Sequence, residues 1–203
     1  MNNRNKVIQK AGELFLTMGI RNITMDYLAA ELGMSKRTLY EFFGQKDTLI
    51  IEALSEMLRQ ENDGTRRIIE DADNVVEALF EIIKRKKELH ASLPRVFVED
   101  AAKYKSQLRE CLYNDQDSLR QNSLSYLMLE RGVKEDIFRK ELDIRIVDQF
   151  ILDMIKMIHT QHRFAVNHLS SDELLNNILI PYLRGLSTPK GLALINKFFE
   201  QQK

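Results

Sequence analysis

The stretch "TMDYLAAELGMSKRTLYEFFGQKD", residues 24–47, decides the fold. It holds two short apolar patterns separated by a glycine. Thr24 offers an N-cap hydroxyl, and Asp26 carries the sign favoured at the positive end of the helix that follows. Leu28, Ala29 and Leu32 face inward, and Gly33 ends the helix. The small Ala29 lets another helix cross closely. Ser35 is the next N-cap, and the pattern predicts a helix over 36–43. Two short helices joined by a tight, glycine-containing turn form a helix-turn-helix candidate.

At about 100° per residue, Leu39, Phe42 and Phe43 fall within roughly one third of the circumference and make the buried face. Arg37 and Glu41 lie almost opposite, flanked by Thr38 and Tyr40, with Lys36 at the helix start. These side chains suit DNA. An Arg reads guanine O6 and N7, a Thr or Tyr bonds phosphate or touches a thymine methyl, and a Glu accepts from cytosine N4. The positive helix start suits phosphate, and Lys46 stands just beyond. Arg37 and Glu41 also have the four-residue spacing of a solvated ion pair. Spacing alone therefore leaves a DNA reader and an ordinary surface helix both open.

Upstream, Val7, Ala11, Leu14, Phe15 and Met18 form one apolar stripe closed by Gly19. With this helix in place, residues 5–57 resemble the N-terminal domain of the TetR family of bacterial transcriptional regulators. The matching positions are Ala11, Phe15, Gly19, Thr24, Leu28, Ala29, Gly33, Ser35, Thr38, Leu39, Tyr40, Phe43, Lys46 and Leu49. The resemblance implies that Thr24 and Met25 lie near phosphate. It implies that Ser35, Lys36, Arg37, Thr38 and Tyr40 line the major-groove helix, and that Lys46 clamps a phosphate. Two positions depart from the family pattern: residue 37, often small, is Arg, and residue 41, often aromatic, is Glu. Glu41 either reads a cytosine or holds Arg37 in place.

The rest of the chain reads as helices. It has only three prolines and eight glycines, and they fall at pattern breaks. The fold class is all-α, an N-terminal three-helix helix-turn-helix domain over residues 1–48 followed by a helical ligand-binding and dimerisation domain over 64–203. Helix four, about 47–63, connects them and loosens at "ENDGTRR". Helix five spans about 73–92 with Val76, Leu79, Phe80 and Ile83 inside, and its "KRKKE" run at 84–88 reads as a solvated face. A short helix follows Pro94, then a long one through Tyr126 and Leu129 to Gly132.

The last two long helices are the most apolar. One repeats Ile144, Val147, Ile151, Met154 and Ile158, widened by Phe150, Ile155 and Met157. The other carries Leu174, Leu175, Ile178, Leu179, Tyr182, Leu183 and Leu186. A helix apolar on more than one side needs a second partner. The resemblance implies that this pair forms a four-helix bundle in a homodimer, which would read a palindromic operator. A short terminal helix begins at Pro189.

The resemblance also implies a small-molecule effector, for which Phe80, Phe97, Tyr104, Tyr113 and Tyr126 are candidate lining residues. Plain core packing is the commoner role for each. Glu99 and Asp100 face either a cationic ligand or water. A DNA-bound adaptor, whose body contacts a protein instead of a ligand, shares the same head and is the alternative.

Composition bounds the remaining classes. Thirty Lys and Arg balance thirty Asp and Glu, but residues 1–48 hold seven basic against five acidic side chains. A modestly basic head on a mildly acidic body fits DNA at one end. No apolar run approaches the roughly 18–20 residues that cross a bilayer, and no signal segment leads the chain, so a cytoplasmic protein is expected. Cys111, the one cysteine, excludes an internal disulfide. His159 and His162 lie one turn apart, but no Cys or acid pattern completes a metal site. Phosphate-loop, zinc-protease and nucleophile-elbow motifs are absent, so neither an enzyme nor a cofactor is expected.

Overall fold

The computed structural model describes residues 3–108, 123–159, 173 and 175–200. Cys111, Tyr113, His162, His168 and Leu174 lie outside them. The architecture is all-α: α1 (Asn3–Met18), α2 (Met25–Glu31), α3 (Lys36–Phe43), α4 (Lys46–Asp71), α5 (Val75–Ser92) and α6 (Arg95–Ala101) with a 3-10 turn (Ala102–Tyr104). There follow α7 (Leu124–Lys134), α8 (Ile144–His159), a π-helical segment (Leu175–Leu179), α9 (Ile180–Leu186) and α10 (Pro189–Glu200). The chain forms two compact units, Met1–Thr65 with Lys84–Gln116, and Arg66–Ile83 with Asp117–Lys203.

The first unit is built on α1. Val7, Ala11, Leu14 and Phe15 are buried, as their spacing requires. Met18, expected on the same stripe, is 40 % exposed. The helix ends there, and the chain turns at Gly19 with φ +82°. A Cβ at Gly19 would stand 3.0 Å from Val96 of α6, so both the turn and the close approach require glycine. Ile20 and Ile23 take the core position that Met18 leaves. Thr24 and Ser35 cap α2 and α3, accepting from the amides of Tyr27 and Thr38. Leu39 and Phe43 are buried, and Phe42 is half-buried with its ring edge-on to Phe43.

Helix α4 departs from the reading above. It does not loosen at residues 61–67 but runs unbroken for 26 residues to Asp71. Gly64, which costs a helix interior about 1 kcal/mol relative to Ala, sits under the Arg85 guanidinium of α5. A Cβ there would lie 2.6 Å from Arg85 Nη2. Arg85 in turn pairs with Glu61 at 2.9 Å, and Thr65 returns its hydroxyl to the Glu61 carbonyl. The glycine admits a cation that ties α4 to α5, a tertiary gain that offsets the local propensity. The rest of the "KRKKE" run is exposed.

In the second unit, Val75, Val76, Phe80, Leu129, Val147, Ile151, Leu183 and Ile195 belong to one core. Phe80 stacks face to face on Phe198 with centroids 4.0 Å apart. Arg131 of α7 donates to the carbonyls of Ile69 and Ala72 at the end of α4, and pairs with Glu135. Glu135 accepts the Val75 amide at the start of α5, where Asn74 also caps Val76 and Glu77. On α8, Val147, Ile151 and Met154 point inward. Asp148 is buried and accepts the hydroxyls of Ser123 and Ser125. Ile146 and Phe150 face outward, 68 % and 53 % exposed, with Phe150 tilted against Tyr182 at 5.2 Å. The expected uniform helix across residues 174–186 begins instead with the π-helical turn before α9.

Candidate nucleic-acid interface

Helix α3 is set rigidly from within and left open on its outer face. Leu39 and Phe43 anchor it. Ser35 fixes its start, where the Ser35 and Thr38 hydroxyls stand 2.9 Å apart. Gly44, at φ +68°, ends it. The outer face carries Lys36, Arg37, Tyr40 and Glu41, all exposed, with Thr38 half-buried.

Each cation on that face has a carboxylate of its own. Arg37 Nε donates to Glu41 Oε1 at 2.9 Å while its side chain stays 89 % exposed. Lys36 Nζ donates to Asp26 of α2 at 2.8 Å, a bond that holds the ammonium above its ordinary pKa. These pairs leave most guanidinium and ammonium donors unspent, since an Arg has five and a Lys three. Approach of a polyanion asks each cation only to rotate away from a solvated partner.

The remaining predicted residues divide. Thr24 is exposed and caps α2. Met25 is 5 % exposed, its side chain in the core. Lys46 is half-buried, and its Nζ donates to the Ile20 carbonyl at 3.1 Å. Burial pushes its pKa down, against the opposing pull of Asp47 and Asp100.

Sequence reasoning missed the contacts that knit these pieces together. Asp100, read as facing a cationic ligand or water, is 3 % exposed and meets Arg21 of the same chain. Glu99 is exposed. Tyr104 reaches Asp47 at 3.3 Å. Nothing in the periodicity announces such pairs, which join residues 57 to 79 positions apart.

Residues 7–53 match the family model of the bacterial regulatory proteins of the tetR family. That is the segment built from α1, α2, α3 and the start of α4. The chain carries a tetR-family DNA-binding segment. It is a DNA-binding transcriptional regulator rather than an enzyme. Relatives match between 63 % and 93 % of its length. The HTH-type transcriptional repressor KstR2 of Mycolicibacterium smegmatis is 26 % identical over 195 residues, covering 93 % of this chain and 92 % of its own. The HTH-type transcriptional regulator YhgD of Bacillus subtilis is 27 % identical over 134 residues, 63 % and 68 % of the two chains. Among solved structures, a transcriptional regulator from Cytophaga hutchinsonii shares the fold over 91 % of this chain and 98 % of its own, with TM-score 0.58 and 17 % identity. The TetR family protein CprB from S. coelicolor A3(2) does so over 95 % and 94 %, with TM-score 0.55 and 19 % identity.

The aromatics considered for an effector have separate places within this chain. Phe97 and Tyr104 belong to the first unit, and Phe80 and Tyr126 to the second. Phe97 and Phe80 are core residues, while Tyr126 is half-buried on α7. Among the described residues, no group of three or more His, Cys, Asp or Glu gathers as a metal ion would need. No helix among them is long and apolar enough to cross a membrane.

Proposed function

We propose that this tetR-family regulator is a homodimeric repressor that binds a near-palindromic operator and releases it when a small molecule binds. Residues 1–48 read DNA, α4 is shared, and 64–203 hold the effector and the second subunit. The observation that carries the reading is the outer face of α3, where Lys36, Arg37 and Tyr40 are exposed and the two cations are held only by the exposed carboxylates of Asp26 and Glu41. Arg37 reads a base edge in the major groove. Ser35, Lys36, Thr38 and Tyr40 position the helix on it. Thr24, the Met25 amide and Lys46 hold phosphates, which fixes register without reading sequence. Glu41 holds Arg37: the 2.9 Å pair favours that role over a cytosine contact. Such work belongs in the cytoplasm.

Exposed apolar side chains support assembly. Ile146 and Phe150 stand on α8, beside Tyr182 of α9, with their surfaces open in one chain. A second copy meeting the same face across a two-fold axis covers them. An effector acts by preferring the state that cannot bind DNA. A coupling of about 1–3 kcal/mol weakens the operator about 5- to 150-fold, and DNA weakens the effector by the same factor.

The test is selection of bound duplexes from a random pool by the full chain, followed by the mass of the complex. Two-fold symmetric sequences with half-sites about one helical turn apart, carried by an even number of chains, are expected. Enrichment of an asymmetric sequence by a single chain overturns the dimeric reading, and no enrichment at all overturns sequence reading by α3.

A further inference from the structure

The turn between α1 and α2 holds a cation that the reading above does not use. Its path is fixed on both sides: Gly19 takes φ +82° against Val96, and Ile20 and Ile23 are each 1 % exposed. Arg21, between them, makes one hydrogen bond and one ion pair to the same carboxylate. Its amide donates to Asp100 Oδ2 at 3.0 Å, and its Nε lies 2.7 Å from Asp100 Oδ1. The two ends of this pair differ sharply, since the Asp100 side chain is 5 % exposed and that of Arg21 65 %. A carboxylate this deeply buried needs partners. The Arg21 amide and Nε supply two. The outer part of the guanidinium has no further hydrogen bond among the described residues, and the side chain is 65 % exposed.

The location of that guanidinium matters. The Ile20 carbonyl, in the peptide that leads into Arg21, accepts the Nζ of Lys46 at 3.1 Å. Lys46, from the start of α4, and Arg21 thus meet at the same short turn, one proposed as a phosphate clamp and the other carrying a largely exposed guanidinium. The turn itself is steadied from α6, where Val96 and Asp100, one helical turn apart, pack beside Gly19 and hold Arg21.

We propose that Arg21 is a further phosphate-contacting residue of the DNA-binding surface, and that Asp100 of α6 is the positioning residue that aims its guanidinium. This rests on the DNA-binding reading and adds to it. Helix α6, outside residues 1–48, becomes part of the apparatus that meets the DNA backbone.

Phosphate contacts carry no sequence information, so the test needs no known operator. The full chain is titrated onto a labelled mixed-sequence duplex of about 30 base pairs, roughly three helical turns, at a series of salt concentrations. Binding by the wild-type chain that weakens steeply with salt is the baseline, and its absence counts against DNA binding itself rather than against Arg21. Arg21→Ala keeps the amide bond to Asp100 and removes one cation. Its salt slope falls by about 0.9 per subunit, so raising salt fourfold costs it about 3.5-fold less affinity per subunit than it costs the wild type.

Asp100→Asn separates positioning from charge. Loss of an acid near DNA, acting by charge alone, tightens binding. Loss of the group that aims Arg21 weakens it and lowers the slope as Arg21→Ala does, and the double variant then loses no more than either single one. An unchanged slope in Arg21→Ala overturns the phosphate contact. Tighter binding by a folded Asp100→Asn overturns the positioning role. If Asp100→Asn does not fold, Arg21→Lys decides: its charge remains but its fork is lost, so partial recovery of affinity over Arg21→Ala supports an aimed guanidinium, and full recovery overturns it.

Discussion

Arg37 and Glu41 on α3, and Arg131 and Glu135 on α7, are the same pair of side chains at the same four-residue spacing. On α3 the two side chains are 89 % and 59 % exposed; on α7 they are 23 % and 22 % exposed. The α3 pair is bonded only within itself and keeps its water. Exposed helical pairs of this kind contribute about 0.3–0.5 kcal/mol. Arg131 instead spends its fork on Glu135 and on the last carbonyls of α4, while Glu135 takes the first amide of α5. A cation sits at a helix C-terminus and an anion at a helix N-terminus, the arrangement that the helix dipoles favour. One pair therefore joins three helices, and the other joins nothing. Spacing says which side chains can meet. Their surroundings decide whether an arginine is committed to the fold or free to be lent to a ligand.

That contrast can be broken, and the largest effect is expected on α7. Arg131→Ala strips two carbonyls and a carboxylate of their donor and should cost about 2–3 kcal/mol in chemical denaturation. Arg131→Lys, which cannot fork, should fall between. A loss below about 0.5 kcal/mol for Arg131→Ala would erase the difference between the two regions. Arg37→Ala should behave in the opposite way. Its stability should stay within about 0.5 kcal/mol of wild type. Discrimination at one base pair per half-site should fall by about 1–3 kcal/mol, read by competing single-base variants of a selected operator. Uniform weakening on all variants would make Arg37 a backbone contact. The smallest effect belongs to Glu41→Gln. Stability should move by a few tenths of a kcal/mol. Binding to mixed-sequence DNA should tighten as an acid is removed, while base preference relaxes as Arg37 loses its tether. Sharper preference in that variant would restore the cytosine-reading role for Glu41.

The head was largely legible because its signals are local. Ser35, Leu39, Phe43 and Gly44 lie within ten residues, and each acts on the backbone or the nearest core face, so the bounds of α3 follow from them. What stayed hidden depends on distant chain. Gly64 reads as a break until Arg85 is known to lie over it. Asp100 reads as a ligand-facing acid until the turn at Arg21, 79 residues earlier, is folded against it. Met18 fits its stripe by angle and fails because the chain turns away one residue later. The π-helical turn before α9 changes the register of an apolar run whose composition gives no sign of it.

The openness of α3 has a hereditary consequence. Its inward residues fix where the helix sits, while residues 37 and 41 can be exchanged for others without any neighbour having to move. On the proposed reading of α3, preference for one DNA sequence over another can therefore drift by single codon changes that leave folding intact. Near Gly132 the opposite holds, for a methyl group there would lie 2.2 Å from the Phe138 ring. On that reading, after gene duplication two descendants of this chain can come to prefer different operators within a few substitutions, while a lineage that adds a side chain at Gly132 must first reshape the packing around Phe138.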